Sequence, residues 1–345
     1  MSKKILFITC DRVKIEYGIT SGLYNSAKFV VDYLSTFMDA KLVSVTDGNG
    51  VDKVVTEFNP DIVVLEALWV SPLKLNELLN IPRHKKRKWI VRIHSKAPFL
   101  ANEGVALKWI SEYTFIDGVI IAPNTKELTK QLSFALPLGE FIYLPNIYKF
   151  EKFEDRSHLT KNDKFIDIGC FGAIRPMKNT FHQALACIEF AEIKNKTLRF
   201  HVNTSRVEQS GENVVKNLRA IFENNCHELV EHKWYHHKDF LSTVSEMDMG
   251  VQVSFTESFN IVTADFVAAN VPIIAGEDIG WMPDFLKCRP TSQRDLVNRL
   301  KWVHNNRWLS KITQKIFLHI YNYKAKLVWR ITFKKIKLWD IFQNY

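Results

Sequence analysis

Apolar residues come in short runs along the chain, each followed by a stretch whose apolar positions fall at helical spacing. Lys4 to Thr9 is apolar and β-rich, and Leu23, Ala27, Val30, Leu34 and Phe37 then recur every three or four residues. That order predicts strand, loop, helix. Further runs at Leu42 to Val45, Ile62 to Leu65, Trp89 to His94, Gly118 to Ala122 and Phe141 to Leu144 continue the alternation. Runs apolar on both faces are what buried parallel strands require. Glu151 to Lys164 is polar and aperiodic and reads as a linker. Beyond it come a strand at Ile166 to Phe171, a helix from Asn179 to Ile193, a strand at Leu198 to Val202 and a helix from Val214 to Phe222. A strand at Met249 to Phe255, a helix from near Ser258 and a strand at Val271 to Ala275 complete the series. Two successive α/β sets predict two Rossmann-like doubly wound domains, 1–150 and 165–310, with ligands at the carboxyl ends of the strands.

The last stretch, 311–345, holds eight Lys or Arg against one acid, interleaved with Trp329, Phe333, Trp339 and Phe342. It reads as a basic amphipathic helical segment, either packed back on the body by its aromatic side or touching a membrane surface or nucleic acid.

Composition narrows the class. A chain of 345 residues exceeds the usual size of one core, and 46% hydrophobic with 24% charged residues excludes a disordered protein. The net charge of +10 points to anionic partners. The five cysteines are odd in number and widely spaced, without a C-x-x-C pair, so neither disulfides nor a zinc site is expected. Met1-Ser2-Lys3-Lys4 leads into an apolar stretch too short for a signal peptide, and no apolar run approaches the roughly 20 residues of a membrane span. A reducing, cytoplasmic setting is the expectation.

Two constellations carry chemistry. Gly172-Ala173-Ile174-Arg175-Pro176-Met177-Lys178-Asn179 follows the strand Ile166 to Phe171 directly. A glycine turn between strand and helix offers backbone N–H groups to an anion, and Arg175 and Lys178 add a fork and a point charge for a diphosphate. The other reading is an ordinary βα turn with solvated basic residues. The second constellation is Glu257-Ser258-Phe259-Asn260-Ile261-Val262-Thr263-Ala264-Asp265, after another strand and before Val271-Pro272-Ile273-Ile274-Ala275-Gly276. On one helix, eight residues turn through about 800°, so Glu257 and Asp265 would lie on neighbouring faces ~12 Å apart along the axis. So apolar a helix should be buried, and buried carboxylates need partners.

Together these motifs resemble the retaining GT-B glycosyltransferases related to sucrose and glycogen synthases, and with His94-Ser95-Lys96-Ala97-Pro98-Phe99-Leu100-Ala101-Asn102-Glu103-Gly104 they also look like glycosyltransferases of tailed phages and some bacteria. The family signature is a basic pyrophosphate turn, a Glu-x7-Glu motif within Glu-Ser-Phe-Gly, and a Val-Pro-Val-Val strand. The resemblance implies two Rossmann-like domains facing across a cleft that holds a nucleotide-activated, UDP-linked sugar. It implies that Arg175 and Lys178 neutralise the donor diphosphate, that Glu257 binds sugar hydroxyls, and that Asp265 holds the ribose. Gly172, Ser258, Phe259, Asn260 and Ile261 complete the donor site, with backbone N–H groups near Phe259 to Ile261. Asp265 stands where Glu is usual and Asn260 where Gly is usual, which adds a side chain near the sugar. Gly18-Ile19-Thr20-Ser21-Gly22 is similar to the family's glycine-bearing loop, with Gly22 near the donor phosphate, although an N-cap at Ser21 explains it equally well. The strand Trp89 to Ser95 sets Arg92 and His94 on one face, and His94 resembles the histidine beside the transferred sugar.

No residue reads as a covalent nucleophile. The resemblance implies same-face attack, with the departing diphosphate helping to take the acceptor's proton. No metal or other cofactor is required by this layout, since two cations already meet two phosphates and no Asp-x-Asp motif is present. For the acceptor, the run Arg83-His84-Lys85-Lys86-Arg87-Lys88 and the basic tail favour a polyanion. The leading expectation is a hydroxymethylated base in phage DNA. The alternatives are a cell-surface polysaccharide or lipid-linked glycan met at an anionic membrane, and a nucleic-acid-binding module without chemistry. The oligomeric state stays open.

Overall fold

The computed structural model describes residues 3–11, 14–15, 19–159 and 162–342, with side chains up to Lys334. It divides into two compact units: unit 1 is Met1–Lys149 with Asn322–Tyr345, and unit 2 is Phe150–Tyr321. The elements of unit 1 are β1 (Lys4–Cys10), α1 (Gly22–Leu34), β2 (Asp39–Val45), α2 (Gly50–Phe58), β3 (Ile62–Glu66), α3 (Pro72–Asn80), β4 (Lys88–Ile93), α4 (Ala97–Asn102), α5 (Ala106–Tyr113), β5 (Val119–Pro123), α6 (Lys126–Ala135) and β6 (Glu140–Phe141). They build one parallel sheet in the order β2-β1-β3-β4-β5-β6. The central strands are apolar on both faces because helices cover both: Ile5 to Ile8, Val63, Val64 and Trp89 to Val91 are buried. Helix starts follow local chemistry. The Ser21, Ser71 and Thr125 hydroxyls accept the Tyr24, Lys74 and Leu128 N–H groups.

Unit 2 contains β7 (Phe165–Gly169), α7 (Thr180–Ile193), β8 (Thr197–Asn203), α8 (Glu212–Glu223), β9 (Glu228–His232), α9 (His237–Ser245), β10 (Met249–Gln252), α10 (Ile261–Ala268), β11 (Ile273–Gly276), β12 (Lys287–Cys288) and α11 (Gln293–Asn305), then α12 (Arg307–Phe342), which continues into unit 1. Its sheet is also parallel, in the order β12-β11-β10-β7-β8-β9. The chain winds outward one way from β7 and then restarts on the other side with β10. The crevice at the carboxyl ends of β7 and β10 is therefore the topological switch point, where such sheets take ligands. Gly169 and Gly250 sit opposite each other across these strands. A Cβ on either would come within 2.8 Å and 2.6 Å of the Phe266 ring, so the two glycines let α10 lie directly on the crevice floor.

Two sequence expectations about the ends of the units change. The division comes after Lys149, and the polar stretch 151–164 opens unit 2 instead of standing between domains. The basic tail is not a separate segment starting at 311. It is part of α12, whose buried amides are spent on backbone groups. Gln314 donates to Val271 O (2.7 Å) and accepts from Ile273 N (3.2 Å) in unit 2. Asn322 accepts from Tyr148 N and donates to Tyr148 O, both at 2.9 Å, in unit 1. Trp329 and Phe333 are buried in unit 1, and the Trp329 indole donates to Pro145 O at 2.8 Å. The side chains of Trp339 and Phe342 lie outside the described residues. Among those residues no helix is long and apolar enough to cross a membrane.

Candidate functional site

The turn after β7 and the turn after β10 are laced together at the switch point of unit 2. Gly172 has φ of +113°, which only glycine adopts without strain, and its N–H donates to Asn203 Oδ1 at 2.9 Å. Pro176–Lys178 then forms a short 3-10 turn closed by Asn179 at φ 57°. The Asn179 amide donates to Val253 O (3.2 Å) and Pro290 O (2.8 Å), while Gln183 donates to Lys178 O and accepts from Val253 N, both at 2.8 Å. Phe255 N donates to Met177 O at 3.0 Å. These bonds fix one turn against the other. Lys178 and Glu257, 79 positions apart in sequence, consequently form a direct ion pair with both side chains largely buried.

Glu257 and Asp265 do not share a helix. Glu257 lies in the loop before α10, its N–H donating to Asp278 Oδ2 at 3.3 Å, and the helix opens only at Ile261. Asn260 sets that boundary: at φ 55° it leaves the helical region, and its Oδ1 accepts Thr263 N at 2.9 Å. The helical spacing expected for the two acids therefore does not apply. Asn260 tolerates the left-handed backbone better than most residues, and its amide turns inward to Gln252 Oε1 at 2.9 Å. Phe259 is core, with its ring on Trp281 and Tyr321 and its carbonyl taken by the Trp281 indole at 2.7 Å. Ser258 and Ile261 flank this cap, where the first-turn amides of α10 present the positive end of its dipole.

Arg175 reaches a carboxylate that the sequence reading missed. Its Nη1 is 3.1 Å from Glu208 Oε2, and Arg206 Nε donates to Glu208 Oε1 at 2.7 Å. Arg206 lies over the Trp234 ring at 4.9 Å. Asp265 is buried, and its Oδ1 is 2.8 Å from His237 Nε2, while His237 Nδ1 is 2.9 Å from Glu151 Oε2. Burial alone would lower the His237 pKa, but Asp265 and then Glu151 outweigh it and raise it to about 10. His237 is thus an imidazolium at neutral pH. Because its folded pKa lies above the ordinary 6.5, its stabilising contribution is complete below 6.5 and is lost as pH rises through about 10. Thermal melts followed by circular dichroism should show the midpoint falling across that window, and His237→Gln should flatten the fall. An unchanged slope in the variant would refute the assignment.

In unit 1, Glu66 closes β3 and faces Arg92 across the β3–β4 register. Arg92 Nη1 is 2.7 Å from Glu66 Oε1, both side chains fully buried, and His94 Nε2 makes a short hydrogen bond to the other Glu66 oxygen. Burial, helped by Arg92, lowers the His94 pKa against the pull of Glu66. Burial would raise the Glu66 pKa, but the Arg92 and His94 interactions bring it down. A carboxylate can only accept, so Glu66 fixes the proton of neutral His94 on Nε2. Gly22 is the first residue of α1, beside the Ser21 cap, whose hydroxyl also donates to Asp11 Oδ2 at 2.9 Å. Gly18, at the head of that loop, lies outside the described residues.

The basic run at 83–88 is partly consumed by unit 1 itself. Arg83 reaches Asp52 at 2.6 Å, buried His84 reaches the same carboxylate at 2.8 Å, and Arg87 is held by Asn59 and Pro60 O. One group of possible metal ligands occurs among the described residues, at Glu192, Cys226 and His227 in unit 2. There His227 Nδ1 accepts Leu198 N at 3.1 Å, which leaves the proton on Nε2, 3.0 Å from Glu192.

No protein-family model matches the chain, and no curated protein matches it. Solved structures do. Sucrose-phosphate synthase from Thermosynechococcus elongatus superposes with a TM-score of 0.71 at 10% identity, covering 98% of this chain and 100% of that one. Anabaena HepE in complex with UDP gives 0.64 at 14% identity, covering 97% and 99%. The UDP-forming α,α-trehalose-phosphate synthase from Burkholderia vietnamiensis gives 0.64 at 10%, covering 97% and 96%. The fold is GT-B. At these identities the likeness is one of architecture: two α/β units, each on a parallel six-stranded sheet. In this chain the Lys178–Glu257 pair lies after β7 and β10, at the switch point of the unit 2 sheet.

Proposed function

We propose that this chain transfers a sugar from a UDP-linked sugar to an acceptor hydroxyl, with retention at the anomeric carbon. The observation that carries the reading is the Lys178–Glu257 pair at the carboxyl ends of β7 and β10, where a basic turn and an acid meet. Arg175 and Lys178 neutralise the diphosphate, and Glu257 takes hydroxyls of the sugar. Backbone N–H groups about Ser258 to Ile261 donate to the phosphate oxygens, and Gly172, without a side chain, leaves them room to approach. Asp265 serves the ribose from its place against His237, and neutral His94 serves the transferred sugar. The C1–O bond to the diphosphate breaks, a C1–O bond to the acceptor forms on the same face, and the acceptor's proton passes to the departing diphosphate oxygen. Catalysis then rests on charge stabilisation and alignment. The neighbours support the donor class: HepE was solved with UDP, and the Burkholderia enzyme is UDP-forming.

For the acceptor, a hydroxyl of a cell-surface polysaccharide or lipid-linked glycan is favoured over a hydroxymethylated base in phage DNA. Arg83, His84 and Arg87 are engaged within unit 1, so the basic run offers a duplex mainly Lys85 and Lys86. Offering UDP-sugars with lipid-linked oligosaccharide, plain duplex and hydroxymethylated duplex, and reading mass increments, tests both. The expected increment is on the glycan. An increment on the modified duplex alone reverses the acceptor. Duplex binding with no turnover of any donor leaves a nucleic-acid-binding module.

A further inference from the structure

Helix α12 is apolar on two opposite sides. One side is the buried row that anchors it, including Leu318 in unit 2 and Trp329 in unit 1. The other faces water. In unit 2 Trp308, Ile312, Ile316 and Ile320 are exposed at intervals of four, and in unit 1 Tyr323 and Leu327 continue the same row. At about 100° per residue these positions share one face, over a length of ~28 Å. Trp308 and Tyr323, at 75% and 72%, are the most exposed of them. A row this long exceeds the single apolar residues scattered over ordinary surfaces and marks a contact site.

Charge decides which contact. No Asp or Glu occurs between Asp295 and Asp340, while Lys315, Lys324, Lys326, Arg330 and Lys334 are exposed along the helix. A second copy of the chain would set lysines against lysines with no acid to answer them. Nucleic acid would satisfy the lysines and leave the isoleucines in water. An anionic lipid surface takes both: headgroups meet the cations, the acyl boundary takes the isoleucines, and Trp and Tyr favour that boundary.

We propose that the outer face of α12 docks on an anionic lipid surface, the helix lying in the interface plane. The inference deepens the glycan reading by stating where that acceptor is met, but vesicle binding is read without donor or acceptor, so the two fail separately. The full chain is mixed with phosphatidylglycerol-containing or pure phosphatidylcholine vesicles and floated. The anionic vesicles should bind about tenfold or more better, and less so as salt rises. Ile312→Ser with Ile316→Ser should weaken binding by about tenfold or more. Lys315→Glu with Lys324→Glu should remove the anionic preference. Both pairs are exposed, and unchanged circular-dichroism melts show that folding survives. The proposal is overturned if the chain floats with neither vesicle or if neither pair alters flotation. It is equally overturned if light scattering shows a dimer that the serine pair dissociates, or if the charge pair abolishes duplex binding but not flotation.

Discussion

In its proposed role Lys178 meets the diphosphate, so Lys178→Ala should lower kcat/KM for sugar transfer by about 10²- to 10³-fold, the cost of removing one donor aimed at developing charge. Glu257, left behind, adds to that cost. In the wild-type site Lys178 pairs with Glu257, and in the proposed role it also meets the incoming diphosphate. Without Lys178, a largely buried carboxylate stands unpaired where two phosphates must dock, and like charges repel. Adding Glu257→Gln removes that repulsion. The double variant should therefore bind free UDP more tightly than Lys178→Ala alone, yet transfer no sugar, since the acid proposed for the sugar hydroxyls is gone. Calorimetric titration with UDP separates the effects. Equal UDP affinity in the parent and Lys178→Ala would falsify the assigned role, and so would a double variant that binds UDP no better than Lys178→Ala.

Arg92→Ala should lower the unfolding free energy by about 3–5 kcal/mol, the usual cost of leaving one partner of a buried pair alone. Arg92 is fully buried, pairs with Glu66, donates to Asn146 Oδ1 at 2.9 Å and stacks on Trp329 at 5.2 Å. Its removal takes away the Arg92 charge and leaves buried Glu66 hydrogen-bonded to neutral His94. His94 should then lose the repulsion of Arg92 and keep the attraction of Glu66, so its pKa rises. Urea unfolding gives the first quantity and NMR titration of the imidazole the second. Arg92→Met with Glu66→Gln should recover most of the stability, because neither buried charge remains. A single variant as stable as the parent, or a His94 pKa that does not move, would show that the pair does not hold the site.

The local alternation of apolar runs was enough to read β1, β3, β4, β7, β10 and β11, since a strand buried on both faces announces itself within its own few residues. β9 was missed for the same reason in reverse: Glu228-Leu229-Val230-Glu231-His232 lies at a sheet edge, half exposed, and has no apolar run to show. Arg175, Lys178 and Glu257 were legible as a motif because the turn chemistry after each strand is contiguous. Their partners were not. Glu66 could have been noticed as the lone acid closing an apolar strand, but Glu208 and His237 carry no local signal.

By itself the sequence determined the alternating elements, the two parallel sheets and the basic turn, because period, turn residues and caps act over a few positions. Only the tertiary structure decided that Lys178 meets Glu257, that Asn260 starts the helix after Glu257, that His237 locks Asp265, and that α12 serves both units. Those outcomes depend on which distant strands become neighbours and how closely a helix can lie on two glycines. Such facts belong to packing in three dimensions and leave no imprint at any fixed spacing along the chain.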